Sequence, residues 1–579
     1  RRNSSSQKLA MLRSTLLRRG VAVAASSHGA GGLVGRRAPQ QLRLSSTSVT
    51  TKPARKGLSD ARRPFASALP VLEPEPASQS FLSSNAFPSI LIGDDGGDEL
   101  VAKGSFASAQ AAFIDPDPQA VQELTEAMDR ANMGIVAHFY MDVELQSVLQ
   151  ALPNQKRVKI SDSLVMGDAA VKMCQDGATS IACLGVDFMS ESVSAIMAKN
   201  GFGHIPVYRC DERKIGCSLA ESAEQLGYGA WLTKASEHEN PLHVIYINTS
   251  LETKAMSTNI VPTVTCTSSN VVQTMLQSSA QIPNLTLWYG PDTCMGYNIQ
   301  TMFGKIVEHW TDEEIKTKLH PEHDRATMKR LLDNLNVYPN GNCVVHHMFG
   351  AEVVETVKNQ YPDAFVTAHL EVPGEMFEVA MEASLAGKGV VGSTSDILNF
   401  ITKKVGEAAA AHEGRDGEIK NLQFILGTEA GMVTSIVKNV KNILASNPSA
   451  KGKVTAEIVF PVAAEAVMVD GESEFGIVPG VSGGEGCSTA GGCATCPFMK
   501  MNDLDKLVDI ANTIAGDDSH GVNLTALQPP RRLEGKFING KPAVEVGVES
   551  IMHMRTLMTD GAFADELVDK VVAAGASRK

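Results

Sequence analysis

Ile135-Val-Ala-His-Phe-Tyr140 is an apolar run that ends in polar side chains, and the chain repeats this build. Val244-Ile-Tyr-Ile-Asn248 and Ala364-Phe-Val-Thr-Ala-His369 are its counterparts. Short apolar runs of this kind predict buried strands. Each is followed by a helical stretch and then by a second, hydroxyl-bearing strand end: Ile160-Ser-Asp-Ser163, Val264-Thr-Cys-Thr-Ser-Ser269 and Val390-Val-Gly-Ser-Thr-Ser395. A third strand then ends in Gly-x-acid, at Gly185-Val186-Asp187, Gly290-Pro291-Asp292 and Gly427-Thr428-Glu429. A cysteine closes each unit: Cys217, Cys343 and Cys496. Four matched features in one order predict an α/β fold of three similar αβα units with short parallel sheets around a pseudo-threefold axis. Such sheets collect ligands at the carboxyl ends of their strands, where all these polar clusters lie.

The units run 119–225, 226–350 and 351–515. The Gly-x-acid triplets are 105 residues apart (290 − 185) and then 137 (427 − 290), and an insertion at about 454–485 is expected to account for the longer third unit. Residues 1–59 hold nine Arg, three Lys and no acid, and are rich in Ser and Ala. That composition reads as a transit peptide for an organelle interior, plastid or mitochondrion, with Met11 as a candidate start. Residues 60–118 read as a Pro/Ser/Gly-rich linker, so a chain beginning near Asp115 is expected to fold and turn over. Residues 516–579 form a C-terminal extension.

Past residue 59 the chain carries 40 bases (52 − 12) and 65 acids, a net charge of −25. A body this acidic is a poor partner for nucleic acid or anionic membranes. No apolar run reaches the ~18 residues of a membrane span. The Gly pairs form neither a Walker loop nor a Gly-x-Gly-x-x-Gly fingerprint, so nothing points to a nucleotide.

Chemistry concentrates in Gly486-Cys-Ser-Thr-Ala-Gly-Gly-Cys-Ala-Thr-Cys-Pro-Phe-Met-Lys-Met-Asn502. Pro497 is expected in the first turn of a helix. Cys-x-x-Cys is shared by structural zinc, redox disulfides and iron–sulfur loops, and its spacing does not choose among them. If the three closing cysteines converge on one axis, they suit a 4Fe–4S cluster with one iron free of protein ligands. The strand ends add His138, Tyr140, Tyr246, Asn248, His369 and Glu371 as proton donors, acceptors and carboxylate binders. Thr267-Ser268-Ser269-Asn270 and Ser393-Thr394-Ser395 precede expected helices, where they could hold an anion or simply cap.

These residues carry a family resemblance. Ala137-His-Phe-Tyr-Met-Asp142, Asp162-Ser-Leu, Gly185-Val-Asp-Phe-Met, Gly216-Cys-Ser-Leu-Ala220, Tyr246-Ile-Asn-Thr-Ser250, Cys266-Thr-Ser-Ser-Asn, Pro291-Asp to Asn298, Cys343-Val-Val-His346, Gly392-Ser-Thr-Ser395, Gly427-Thr-Glu and Cys496-Pro-Phe-Met-Lys-Met-Asn502 stand in the order found in quinolinate synthases of NAD biosynthesis. The chain resembles the long plant type, without its sulfur-transfer domain. The resemblance implies a 4Fe–4S cluster on Cys217, Cys343 and Cys496. It also implies condensation of iminoaspartate with dihydroxyacetone phosphate to quinolinate, phosphate and water. Iminoaspartate binding carries over to His138, Ser163, Tyr246, Asn248, Ser268, His369, Glu371 and Thr394. Acid–base work carries over to Tyr140, with His138 and Glu371 beside it. Functional links to an iminoaspartate-producing enzyme and a sulfur donor are implied as well. Two departures stand out. The family's His-Pro-Glu is His369-Leu370-Glu371, and the Trp usual before the second cysteine is missing from Tyr338-Pro-Asn-Gly-Asn-Cys343.

Two other readings use the same residues. One is a 4Fe–4S hydro-lyase acting on a hydroxy-acid, against which the two Ser/Thr anion clusters speak. The other is a non-enzymatic cluster scaffold, which has no need of His, Tyr and Glu at converging strand ends.

Overall fold

The computed structural model describes residues 87–93, 100–343, 345–346, 349–411, 420–461 and 496–576. Cys487 and Cys493 lie outside the described residues, as do residues 1–59.

The three predicted runs are the first strands of three sheets. In chain order the strands are β1 (Ser89–Ile92), β2 (Leu100–Lys103), β3 (Met133–His138), β4 (Val158–Ser161), β5 (Ser180–Leu184), β6 (Val207–Tyr208) and β7 (Pro241–Tyr246). They continue with β8 (Thr263–Cys266), β9 (Thr286–Gly290), β10 (Leu335–Val337), β11 (Phe365–His369), β12 (Gly389–Gly392), β13 (Lys420–Gly427) and β14 (Val454–Val459). The sheet orders are β4-β3-β5-β6, β8-β7-β9-β10 and β12-β11-β13-β14-β1-β2. Each set therefore runs second, first, third, fourth, and all pairs within the sets are parallel. Burial on both faces explains why these strands read as unbroken apolar runs and not as alternating ones. Register places the predicted polar ends side by side: His138 pairs with Ser161, Tyr246 with Cys266, and His369 with Gly392.

Three expectations at the margins are corrected. The stretch 60–118 is not all linker. β1 pairs antiparallel with β14 and with β2, and Ile90 and Ile92 are buried in the core. A four-residue strand is too short to show in a Pro/Ser-rich background. The expected insertion begins with sheet: Val454–Val459 is β14, wholly buried and parallel to β13. Pro497 precedes a 3₁₀ turn at Met499–Met501, and the helix starts later, at Leu504, capped by the Asp503 side chain.

The C-terminal extension is integral to the body. Its helix Ala543–Asp560 packs on the helix Leu251–Ile260 and on β8, with Ser550 Oγ 2.9 Å from Thr265 Oγ1. Gly547 permits the approach, since a Cβ there would meet Leu251 O at 2.7 Å.

Candidate active site

Strand ends from the three sheets meet around Glu371. This residue follows β11 and is buried. The Tyr246 hydroxyl, at the end of β7, donates to its Oε1. His346 Nδ1 lies 2.9 Å from its Oε2, and His369 Nδ1 lies 3.7 Å from Oε1. The His346 and His369 rings stack, with centroids 5.1 Å apart. Burial acts to raise the Glu371 carboxyl, but His369, His346 and the Tyr246 hydroxyl overcome it and hold the pKa at about 2.

His138 and Tyr140 come from the end of β3, their rings 4.6 Å apart and edge to face. Burial lowers His138 and His369 to about 4 each, so both imidazoles are neutral at pH 7. Burial, with Glu429 and Glu371 nearby, raises Tyr140 well above a free phenol. Neutral imidazoles and a protonated phenol around one carboxylate can pass a proton without separating charge through the interior.

The remaining predicted residues sit at the corresponding strand ends. Ser163 and Thr394 open the helices Ser163–Gln175 and Thr394–Ala411, and Ser268 lies in the turn after β8. Neighbours do the capping. Asp162 accepts from Leu164 N and Val165 N. Ser393 Oγ donates to Asp396 Oδ2 at 2.7 Å, and Asn270 Oδ1 accepts from Thr267 N at 2.8 Å. Asn248 is partly exposed in the loop after β7.

The three predicted cysteines share one local geometry. Backbone N–H groups nearby favour the thiolate at each: those of Ala220 and Leu219 at Cys217, of His346 at Cys343, and of Met499 and Phe498 at Cys496. Each thiol thus sits at the start of a helical turn, where backbone N–H groups favour a thiolate. Burial opposes them, raising Cys217 to about 11 and lifting Cys343 and Cys496 as well. The thiol of Cys217 acts electrostatically on both of the others. Such thiols release protons when a soft metal binds. Among the described residues, Cys343, His346 and Glu371 alone bring three ligand atoms within 4.8 Å of one another.

Three residues without a predicted role belong here. His346 was visible as Cys343-x-x-His346, but only the fold turns its ring onto Glu371. Asp292 and Glu429 end two of the Gly-x-acid triplets, and burial beside Glu371 raises both carboxyls. His346 Nε2, His369 Nε2, Asp292 Oδ2 and Glu429 Oε2 are buried without a protein partner among the described residues. Orphaned polar atoms grouped in this way mark a place built for something else. Asp187, the third triplet acid, is different: Arg209 Nη1 donates to it at 2.7 Å.

A family model described as quinolinate synthetase A protein matches residues 120–454, more than half of the chain. The chain belongs to the quinolinate synthase family. It is 46% identical over 500 residues to a quinolinate synthase, chloroplastic, of Nicotiana tabacum, covering 85% of this chain and 67% of that one. A rice relative of the same name (Oryza sativa subsp. japonica) is 47% identical over 504 residues, covering 84% and 69%. A quinolinate synthase of Prochlorococcus marinus is 25% identical over 433 residues, covering 74% of this chain and 95% of the relative. This quinolinate synthase family member thus spans about two thirds of the plant relatives and nearly all of the bacterial one.

The loop that departs from the family pattern is well held. Leu370 is buried, and its N–H donates to Gly392 O at 3.1 Å, a bond that proline could not make.

Proposed function

We propose that this chain condenses iminoaspartate with dihydroxyacetone phosphate to give quinolinate, phosphate and water in NAD biosynthesis. The family membership supports the reaction. The observation that carries the site is Glu371: the third repeat's carboxylate is met by Tyr246 and His346 of the second, with His138 and Tyr140 of the first alongside. The repeated strand order supports three units around a pseudo-threefold axis with the cysteines at its centre. The names of the plant relatives and the basic, acid-free composition of residues 1–59 support a plastid location.

Cys217, Cys343 and Cys496 would hold a 4Fe–4S cluster. The donor set fits: three thiols in matched N–H-lined turns, beside buried polar atoms without partners. When bound, the cluster supplies an electrophilic iron. The chain's own groups do the rest. Tyr246, Asn248, His138 and His369 bind the imine diacid, and the hydroxyls of Ser163, Ser268 and Thr394 line the anion side. Loss of phosphate and water needs protons delivered and collected. The Tyr140 phenol keeps its proton at neutral pH and is the donor. The Tyr246 hydroxyl and the two imidazoles beside Glu371 lower its carboxyl, which weakens it as a base. Glu371 therefore acts first by charge, orienting Tyr246 and His346 and drawing protons toward them.

Glu371→Gln and Tyr140→Phe keep the shape and remove this chemistry. Both should lose quinolinate formation by at least about a hundredfold while keeping iron content and melting temperature. Near-normal turnover with iron intact would overturn the assignment.

A further inference from the structure

Tyr140, Asn248 and Glu371 occupy the same place in the three repeats, two residues after the end of the first strand. In each repeat one buried nitrogen ties down the backbone on both sides of that residue. Gln146 Nε2 donates to Phe139 O at 2.9 Å and Met141 O at 2.7 Å, which flank Tyr140. Lys254 Nζ donates to Ile247 O at 2.9 Å and to Thr249 O, which flank Asn248. Asn298 Nδ2 donates to Leu370 O at 2.9 Å and Val372 O at 2.7 Å, which flank Glu371. Gln146 and Lys254 are wholly buried, and Asn298 is 2% exposed.

The three clamps do not come from one inherited position. Gln146 lies six residues after Tyr140 (146 − 140), and Lys254 six after Asn248 (254 − 248), each in the helix that follows. The matching position in the third repeat is Phe377, buried and without a donor. Asn298 supplies the clamp from the second repeat, on the helix Thr293–His309. Gln146 reaches across repeats too, donating to Gly431 O at 2.8 Å just after Glu429. Gly431 lets the two loops meet, since a Cβ there would lie 3.0 Å from Phe139 O and from Met141 O. The common feature is a donor group and its two flanking acceptors, built from a carboxamide twice and an ammonium once.

We propose that Gln146, Lys254 and Asn298 are positioning residues for Tyr140, Asn248 and Glu371. The clamp fixes the peptide plane just before each residue and the plane one residue further on, so the plane between them is held by two anchored neighbours and the Cα–Cβ direction is restrained. Misplacement of a reacting group by about 1 Å can cost on the order of a hundredfold in rate. Each clamp also satisfies two carbonyls through a buried nitrogen, so its removal leaves both acceptors unmet.

The inference rests on the acid–base reading of Tyr140 and Glu371, and the test separates the two. Gln146→Glu and Asn298→Asp keep side-chain shape and delete the donors; Asn298→Ala adds no charge and serves if the acidic variant does not fold. Asn240→Asp is the control, a buried amide at the far, amino end of β7 that donates to Pro283 O. Iron per chain, melting temperature, kcat and KM would be measured on the cluster-loaded protein. The expected result is a fall in kcat of at least about tenfold in the clamp variants, with KM and iron content near wild type. The control should lose stability without losing kcat. Glu371→Gln combined with Asn298→Ala should be no slower than Glu371→Gln alone, because the clamp works through that carboxylate. Normal kcat in both clamp variants beside a slow Glu371→Gln would refute the positioning role alone. A fast Glu371→Gln would refute the chemistry on which it rests. Equal kcat losses in clamp and control variants would reduce the clamps to general stability.

Discussion

Arg209 is the test of whether the C-terminal segment is structural. It follows β6 and is buried. Its guanidinium donates to Asp187 Oδ1 at 2.7 Å, Arg213 O at 3.0 Å, Ala526 O at 3.1 Å and Gln528 O at 3.2 Å. One side chain therefore joins the first Gly-x-acid triplet to the tail. Arg209→Met keeps much of the volume and strands the Asp187 carboxylate, itself buried. Breaking one partner out of a buried pair costs about 3–5 kcal/mol. A folded body of roughly 450 residues unfolds with an entropy of about 1 kcal/mol/K, so the melting temperature should fall by ~3–5 °C. Burial already raises the Asp187 carboxyl, with Arg209 as the largest opposing influence. Without Arg209 the folded pKa rises further above the unfolded value. A carboxyl raised in the folded state favours folding at low pH and loses that contribution as pH rises. The gap between variant and wild type should therefore widen from pH 5 to pH 8. Adding Asp187→Leu should recover part of the loss. Thermal melts across that pH range decide it, and a shift below ~1 °C at pH 8 would refute the reasoning.

Cys217→Ala, Cys343→Ala and Cys496→Ala should each abolish iron loading, whereas Cys174→Ala, Cys183→Ala and Cys294→Ala should not; iron per chain and charge-transfer absorption report this, and normal iron in Cys217→Ala would refute the three-cysteine set. A chain beginning at Ala86 should fold, but one beginning at Asp115 loses β1 and with it Ile90 and Ile92, worth ~3–6 kcal/mol of burial, and should be insoluble or melt early. Glu457 on β14 accepts from Ser89 at 2.7 Å, Lys103 at 2.9 Å and Gln423 at 3.0 Å. Burial works against the Glu457 charge, but these donors lower its pKa below the ordinary value. Its stabilisation is complete above that ordinary value and lost as pH falls through the folded pKa, so Glu457→Gln should flatten the acid limb of a stability–pH curve below about pH 4.5. An unchanged acid limb would remove β1–β14 pairing from the account.

The chain's own order of residues determined the three first strands, their polar ends, the Gly-x-acid triplets and the closing cysteines. These are local signals, because a strand buried on both faces must be a continuous apolar run and must end where polar atoms begin. The same logic makes His138, Tyr140, Tyr246 and Glu371 legible as candidate site residues before any fold is known. Tertiary structure alone decided which of them touch. Tyr246 and Glu371 stand 125 residues apart in the chain, and no local pattern predicts their hydrogen bond. His346 becomes part of the site only when its turn packs beside β11. β1 escaped notice because a four-residue strand gains its stability from the sheet edge it joins, not from its own composition. The Asn298 clamp was illegible for a deeper reason: its acceptors are backbone carbonyls in another repeat. Every residue has such a carbonyl, so only the packing of the helix Thr293–His309 against the loop after β11 selects which two it meets.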